Sequence, residues 1–473
     1  MYDFLIIGSG LSAFAALSEL NKKKYKILVV DYGLTYQKSI NLIKYEDIHK
    51  INPTDDKLFF SDDFATKKIN SSKLRAAITN SFAFGGLSNI WGCAIEKFPN
   101  SELTGWPNIS QGIQYGYEQL NKIMSSLTPL DLLTTNNFSF YYFDKLKNKR
   151  YKNIKIKKSK LAVDPKLCIL CNECLYGCRH NATFNSSNYI KELINSKKID
   201  YKSSLYADTV EEFKEYSLLN AINKSGKKFQ FKAKKILICM GAINTAELIL
   251  KSFQQINKIV VKDSQCFNMP LLAKKIIGVN QNKNTLALSQ FNIKQSGIIK
   301  NKSIHYQMYF PSLYTHAMID KKFSFLPFKL PNYIKDRIYI IQGYLPSELS
   351  GSIEFSSSKN GSIVSKIQNK YSKLYLNYSI NQLNELLSKV GFFPLRFLLK
   401  RKNIFSGYHF GSSLPMSNKP GINNTDLYGR LYNIKNIHIL DSTILPSIPS
   451  GSFSYLMMAN AIRIVRHLNE EKI

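Results

Sequence analysis

Tyr2-Asp3-Phe4-Leu5-Ile6-Ile7-Gly8-Ser9-Gly10-Leu11-Ser12-Ala13, followed by Lys26-Ile27-Leu28-Val29-Val30-Asp31, is the stretch on which the fold turns. An apolar run of strand length ends in a glycine-rich turn, a helix follows to about residue 20, and a second apolar run closes on an acidic residue. That order is a βαβ unit. Gly8 permits the tight turn, Gly10 lets the backbone approach a pyrophosphate, and Ala13 permits close packing of the helix. The helix N-terminus supplies amide donors and a favourable dipole, and Asp31 would accept ribose hydroxyls. A glycine pattern alone is a weak signal, but strand, helix and acidic residue all fall at their expected places, which makes this a dinucleotide site.

The next informative stretch is Gly85-Gly86-Leu87-Ser88-Asn89-Ile90-Trp91-Gly92-Cys93-Ala94, with Gly105-Trp106-Pro107 ahead of a helix expected over 111–126. Here the chain resembles the glucose-methanol-choline (GMC) oxidoreductase family, whose Gly-Gly-x-Ser loop lies against a flavin. The resemblance implies FAD rather than NAD, with Gly85, Gly86, Ser88, Asn89, Trp91, Gly92 and Cys93 around the cofactor. Within the family the loop is most similar to that of pyranose oxidases, where a histidine anchors the flavin covalently. Ile90 stands at the matching place and offers no nucleophile, so the FAD is expected to be held non-covalently. The pyranose-oxidase-like loop also implies a sugar, free or carrier-linked, as substrate. A further match, Ile236-Leu237-Ile238-Cys239-Met240-Gly241-Ala242, is similar to the family's strand and glycine turn that return the chain to the cofactor. Val210, in the strand before it, sits where the family's chain contacts the adenine.

Two segments near the carboxyl end carry the reaction. Gly407-Tyr408-His409-Phe410-Gly411-Ser412-Ser413-Leu414-Pro415-Met416 resembles the family's catalytic His-x-Gly segment. Asn436-Ile437-His438-Ile439-Leu440-Asp441-Ser442-Thr443-Ile444-Leu445-Pro446 resembles its closing strand and flavin-binding Asp, which makes Asp441 and Ser442 cofactor residues by resemblance. Removing a hydride from a carbinol carbon is favourable only as the hydroxyl proton leaves, and imidazole is the side chain best tuned to take it near neutral pH. His409 is therefore the expected base, and flavin N5 the expected hydride acceptor. The family adds a second His or Asn on the same substrate oxygen. Counting back from 459–464, which resembles the family's final helix, puts Ser452 at that position, with Ser450 the alternative if the register slips. Serine can hydrogen-bond an alkoxide but cannot act as a base, so His409 would work largely alone.

Cys168-x2-Cys171-x2-Cys174-x3-Cys178 has the spacing of a ferredoxin iron-sulfur run. The fourth cysteine of such a run usually serves a different cluster, only one run is present, and Arg179 stands where proline is customary. Three readings stay open. One is a 4Fe–4S cluster with Cys178 or a remote cysteine such as Cys93 as fourth ligand; the others are zinc and a metal-free loop.

At 473 residues the chain has room for two or three structural units and a large cofactor. With 44% hydrophobic and 21% charged residues it reads as globular rather than disordered or membrane-spanning. Met1 leads directly into a strand without a basic leader, and four of seven cysteines lie within eleven residues rather than spread as a disulfide framework; both indicate the cytoplasm. A net charge of +32 raises the question of nucleic acid. The lysines are scattered among abundant Asn, Ile and Tyr, so nucleic acid is not an expected partner, and an anionic substrate or membrane surface remains as a use for the charge. Gly391-Phe392-Phe393-Pro394-Leu395-Arg396-Phe397-Leu398-Leu399-Lys400-Arg401-Lys402 sets apolar residues beside cations and reads as a buried helix with a basic end, or else as a peripheral membrane contact.

The expected architecture is α/β, a doubly wound, Rossmann-like FAD-binding domain with a second α+β substrate domain of GMC type. The FAD domain would take 1–145, 201–258 and 407–473, a cysteine-rich insertion 146–200, and the substrate domain 259–406. The expected function is oxidation of a sugar hydroxyl, the electrons passing from flavin to a cluster and on to an acceptor protein. A cluster-fed flavin reductase of an unsaturated or carbonyl substrate, and a non-catalytic redox carrier, are the alternatives.

Overall fold

Residues 4–7 and 27–30 are apolar without alternation, the pattern of strands covered on both faces, and all of them are buried. The computed structural model describes residues 1–33, 67–71, 74–78, 81–124, 153–274, 286–325, 327–357, 363–368 and 373–471. The polar, poorly periodic stretch from Tyr32 to about residue 80, expected to form surface excursions, lies mostly outside the described residues, as do residues 125–126 of the helix expected over 111–126 and the first part, to residue 152, of the lysine-rich run expected at about 145–160 to be solvated.

The chain opens with β1 (Tyr2–Ile7), α1 (Leu11–Leu20), β2 (Ile27–Val30), the hairpin β3 (Lys67–Ser71) and β4 (Leu74–Ile78), and α2 (Ser110–Ile123). It continues through β5 (Ile154–Lys158), α3 (Ser186–Asn195), β6 (Asp200–Lys202), β7 (Tyr206–Glu212), β8 (Ser217–Ile222), β9 (Lys228–Ile238) and α4 (Ala242–Ser252). Next come β10 (Lys258–Asp263), β11 (Cys266–Ala273), β12 (Phe291–Ile299), β13 (Lys302–Tyr309), α5 (Leu313–Lys322) and α6 (Asn332–Lys335). β14 (Ile338–Tyr344), β15 (Ser352–Ser357), β16 (Ile363–Gln368) and α7 (Lys373–Val390) follow. The last elements are β17 (Phe392–Pro394), β18 (Lys400–Arg401), β19 (Phe410–Gly411), β20 (Ile437–Ile439) and α8 (Ser454–Glu470).

The first sheet runs β6-β2-β1-β9-β8-β7, with β20 also on β9. β6, β2, β1, β9 and β20 are parallel, while β7, β8 and β9 form an antiparallel meander. β9 is long enough to serve both patterns along one edge: Lys228 to Ala233 pair with β8, and Ile236 to Ile238 pair with β20. Every residue of α1 is buried, which its sequence LSAFAALSEL allows, because a helix covered on all sides has no face to give to water. It packs on α8 and α3 and reaches Phe184 and Tyr189 through Phe14, at ring-centroid distances of 4.7 and 4.9 Å.

The second lobe is a seven-stranded antiparallel sheet, β17-β11-β14-β13-β12-β5, with β18 also on β11. A four-stranded sheet, β16-β15-β10-β19, links the lobes, and its last strand comes from the segment that carries His409. Alternation along the central strands sorts their side chains. Phe267, Met269 and Leu271 of β11, Tyr306 and Met308 of β13, and Tyr339 and Ile341 of β14 pack into one core with α7. The residues between them face the other way, towards the first lobe. The fold is thus α/β, an FAD-type doubly wound domain with a second α+β domain. The described part of 146–200 is shared out: β5 edges the second sheet, the cysteine loop packs on the first core, and α3 lies on α1.

The segment 391–402 is not an α-helix and, apart from Phe392, is not buried, which corrects the buried-helix reading. Gly391 and Pro394 interrupt helix formation, the chain runs through β17 and a single 3-10 turn to β18, and Phe393 and Phe397 are 56% and 80% exposed. Among the described residues no helix is long and apolar enough to cross a membrane.

Candidate active site

The turn between β1 and α1 opens into an elongated cavity. At Gly8 the backbone has φ +101°, and a Cβ there would stand 2.5 Å from the Cys239 carbonyl oxygen, so only glycine fits. At Gly10 a Cβ would meet nothing within 4 Å, which leaves that face of the turn open. Gly10 caps α1 without any side-chain hydrogen bond, so the first amides of the helix keep their donors for a ligand. Ser9 ties the site together: its hydroxyl donates to Asp31 and accepts the Gly85 amide at 2.8 Å. Burial pushes the Asp31 carboxyl up to about 6, against the pull of Ser9 and the Tyr32 amide. A half-buried carboxylate beside an open glycine turn and uncapped helix amides fits the ribose and pyrophosphate of FAD.

The cavity is further lined by Gly86, Leu87, Ser88, residues 205–207 and 239–244, Asp441, Ser442, Tyr408, Phe453 and Met457. The remaining sequence-chosen residues support it from behind or lie elsewhere. Ala13 is buried in α1, and Gly85 is buried behind the loop. Asn89 donates to the carbonyls of Phe84 and Gly86 at 3.1 and 2.9 Å, which fixes the loop. Asp441 spends its oxygens on the protein, accepting from Gly241 N–H at 2.9 Å, Thr245 Oγ1 at 2.6 Å and Thr443 N–H at 2.9 Å. Trp91 and Gly92 face a second cavity, and Cys93 is fully buried with its thiol directed to the Trp91 carbonyl. Val210 lies outside the cavity; its amide binds Ser252, and residues 205–207 occupy the wall instead. Between them, β7 changes register against β8 at Ala207 and Thr209.

The segment after β18 is positioned from both lobes. Ser264 N–H donates to the His409 carbonyl at 2.7 Å, and Asp263 accepts the Phe405 amide at 2.8 Å. On the other side Ser412, Ser413 and Leu414 donate to carbonyls of Ser442 and Thr443. A Cβ at residue 411 would stand 2.4 Å from the Ser442 oxygen, which explains the glycine two places after the histidine. His409 stacks on Tyr344 at 4.4 Å and meets Phe453 edge-on at 5.5 Å. Its Nδ1 is buried without a hydrogen-bond partner. Burial, with Lys402 nearby, pushes the imidazole down to about 4, so it is neutral at physiological pH.

His409 and Ser452 line the second cavity together. The opposite wall comes from the alternate residues of the second sheet: Asn268 of β11, Gln307 and Tyr309 of β13, and Ile340, Gln342 and Tyr344 of β14. Ser452 Oγ accepts from Gln307 at 3.1 Å. Ser450 is instead locked away, donating to the Tyr344 carbonyl and accepting the His305 amide. Asn268 Oδ1 is buried and unpartnered. The two cavities share Leu11, Leu87, Tyr408 and Ser454, so the cavity that His409 lines adjoins the one at the glycine turn. Nothing in the sequence picked out Asn268, Gln307, Gln342 or Tyr344; their alternation with core residues was the available signal.

Cys168, Cys171, Cys174 and Cys178 come together around a small cavity with His180 and Glu173. All four are free thiols, and burial raises those of Cys168, Cys171 and Cys174. Arg179 pairs with Glu173 at 3.2 Å within the same loop. Among the described residues no group of three or more His, Cys, Asp and Glu side chains is arranged to hold a metal ion.

Residues 396–461, which include His409, Asp441 and Ser452, match a family model described as GMC oxidoreductase. The crystal structure of pyridoxine 4-oxidase from Mesorbium loti superposes with a TM-score of 0.67 over 100% of both chains at 12% identity, a likeness of fold. No protein of curated function matches the sequence.

Proposed function

We propose that this chain is an FAD-dependent oxidoreductase acting on CH–OH donors, with His409 receiving the hydroxyl proton. The observation that carries the reading is the meeting of the two cavities at Tyr408 and Ser454, with a neutral imidazole in the second. The turn at residues 8–12 would hold the pyrophosphate and Asp31 a ribose, as their openness and burial support. When bound, FAD supplies the hydride acceptor, held non-covalently because Ile90 offers no nucleophile. The family-model match over residues 396–461 and the likeness to a pyridoxine 4-oxidase support the same reaction class.

The chain's own residues then do four things. Stacking on Tyr344 orients the imidazole, and its lowered pKa keeps it unprotonated at neutral pH, with its lone pair available. Ser452, held by Gln307, hydrogen-bonds the substrate oxygen as its proton leaves. Lys402, which lines the cavity, disfavours the imidazolium and so speeds return of the proton to solvent. Asn268, Gln307, Tyr309 and Gln342 offer a wall of donors and acceptors suited to several hydroxyls, which supports a sugar as the finer reading.

The test is reconstitution with FAD followed by addition of sugars without oxygen or reductant. Bleaching of the flavin absorbance is expected. Bleaching by dithionite or reduced ferredoxin alone would favour a reductase, and protein that takes up no flavin would end the reading.

A further inference from the structure

We propose that the loop around residues 168–178 binds a 4Fe–4S cluster on Cys168, Cys171, Cys174 and Cys178, set in the wall of the substrate cavity to take electrons singly from the reduced cofactor. The binding site stands on its own observations; its use as an electron sink rests on the oxidation proposed above.

Each of the four sulfurs receives a backbone amide. Leu170 N–H donates to Cys168, Glu173 to Cys171, Ala287 to Cys174, and Ala182 to Cys178 at 3.3 Å. Amides aimed at sulfur stabilise negative charge, which suits thiolates bound to metal, and hydrogen bonds to the ligand sulfurs are a main control of cluster potential. The spacers are bent to achieve this. Leu170 and Asn172 have φ of +55° and +66°, and a left-handed leucine is a conformation that a fold retains where the surroundings demand it.

The spacing alone left the fourth ligand open. Cys178 faces the same small cavity as the other three, whereas Cys93, though near Cys174 and Cys178, is not in its lining and points its thiol at the Trp91 carbonyl, 3.6 Å away. One run therefore supplies all four sulfurs. Arg179, in place of the customary proline, clips the loop through Glu173. A tetrahedral zinc with Zn–S of about 2.3 Å would gather its sulfurs to within about 3.8 Å of one another. Thiolates that each bind a different iron stand further apart around a larger core, and the four cysteines line one small cavity between them.

The position suits electron transfer. Leu175, inside the cysteine run, and Ala287, whose amide holds Cys174, both line the cavity that contains His409. Oxidation of one CH–OH group to C=O releases two electrons and two protons. A 4Fe–4S core changes by one electron, so two electrons would pass through it in succession to an external one-electron carrier protein, while the two protons go to solvent, one by way of His409.

The experiment is iron, acid-labile sulfide, zinc and flavin analysis of the full-length protein purified without oxygen, with the paramagnetic resonance spectrum after dithionite. About four iron and four sulfide per chain are expected, with a signal from the reduced cluster. Cys171→Ser and Cys178→Ser should each lower bound iron at least fourfold with flavin content unchanged, and Cys93→Ser should retain it. Zinc without sulfide, protein with neither metal, or a Cys178→Ser protein with its full iron would overturn the proposal. The wild-type metal analysis decides even if a variant fails to fold. Iron-loaded protein without flavin would sink the oxidation reading and leave the cluster; sugar-reducible flavoprotein without iron would do the reverse.

Discussion

The two cavities that meet at Leu11, Leu87, Tyr408 and Ser454 are built by different means. The first is shaped by backbone, through the turn at residues 8–12, Gly86, Gly241 and the uncapped end of α1. The second is shaped by side chains, one from every other position of β11, β13 and β14. A backbone-shaped site accepts few residue types, because a Cβ either fits or collides. A side-chain wall needs only the two-residue period, and its open face tolerates many residues. The first should fail abruptly under substitution and the second by degrees.

Gly8→Ala should have the largest effect. The added Cβ meets the Cys239 oxygen in a backbone with φ +101°, so cofactor binding should be lost and stability should fall by about 2–4 kcal/mol, read by flavin content and thermal unfolding. A yellow, stable Gly8→Ala protein would break the contrast. Next is His409→Ala at the junction, which should keep its flavin but reduce it with sugar roughly 10²–10⁴ times more slowly in stopped flow. Asn268→Leu tests the graded side. It removes a wall amide that is given no role on the reacting oxygen, and KM should rise about tenfold with kcat changed by less than about threefold. Equal loss of both constants would show that the wall acts in the chemical step.

The same contrast explains what the sequence disclosed. Gly8, Gly10 and Asp31 could be read because glycine and an acid are demanded at fixed places, and the structure gathers them on one cavity. His409 carried its own marker in Gly411, which packs against Ser442. Val210 rested on the resemblance alone; it lies outside the cavity, with residues 205–207 in its wall. Asn268, Gln307 and Gln342 lie on three strands far apart in sequence, and nothing local marks an outward polar residue as a binding residue. For 391–402 the decisive features were Gly391 and Pro394, which outweigh an apolar-basic composition. α7 went unread although Leu376, Ile380, Leu383 and Leu387 recur at helical spacing; they are buried against the second sheet.

The most direct test of the account is the pH dependence of the rate at which a sugar reduces the bound flavin in the absence of oxygen. The His409 imidazole is held down to about 4 from its ordinary 6.5, and in the proposed role it accepts a proton only when deprotonated. The rate should therefore be level through neutrality, fall as pH drops through about 4, and lose that acid limb in His409→Ala. A limb centred near 6.5, or an unchanged rate in the variant, would contradict it.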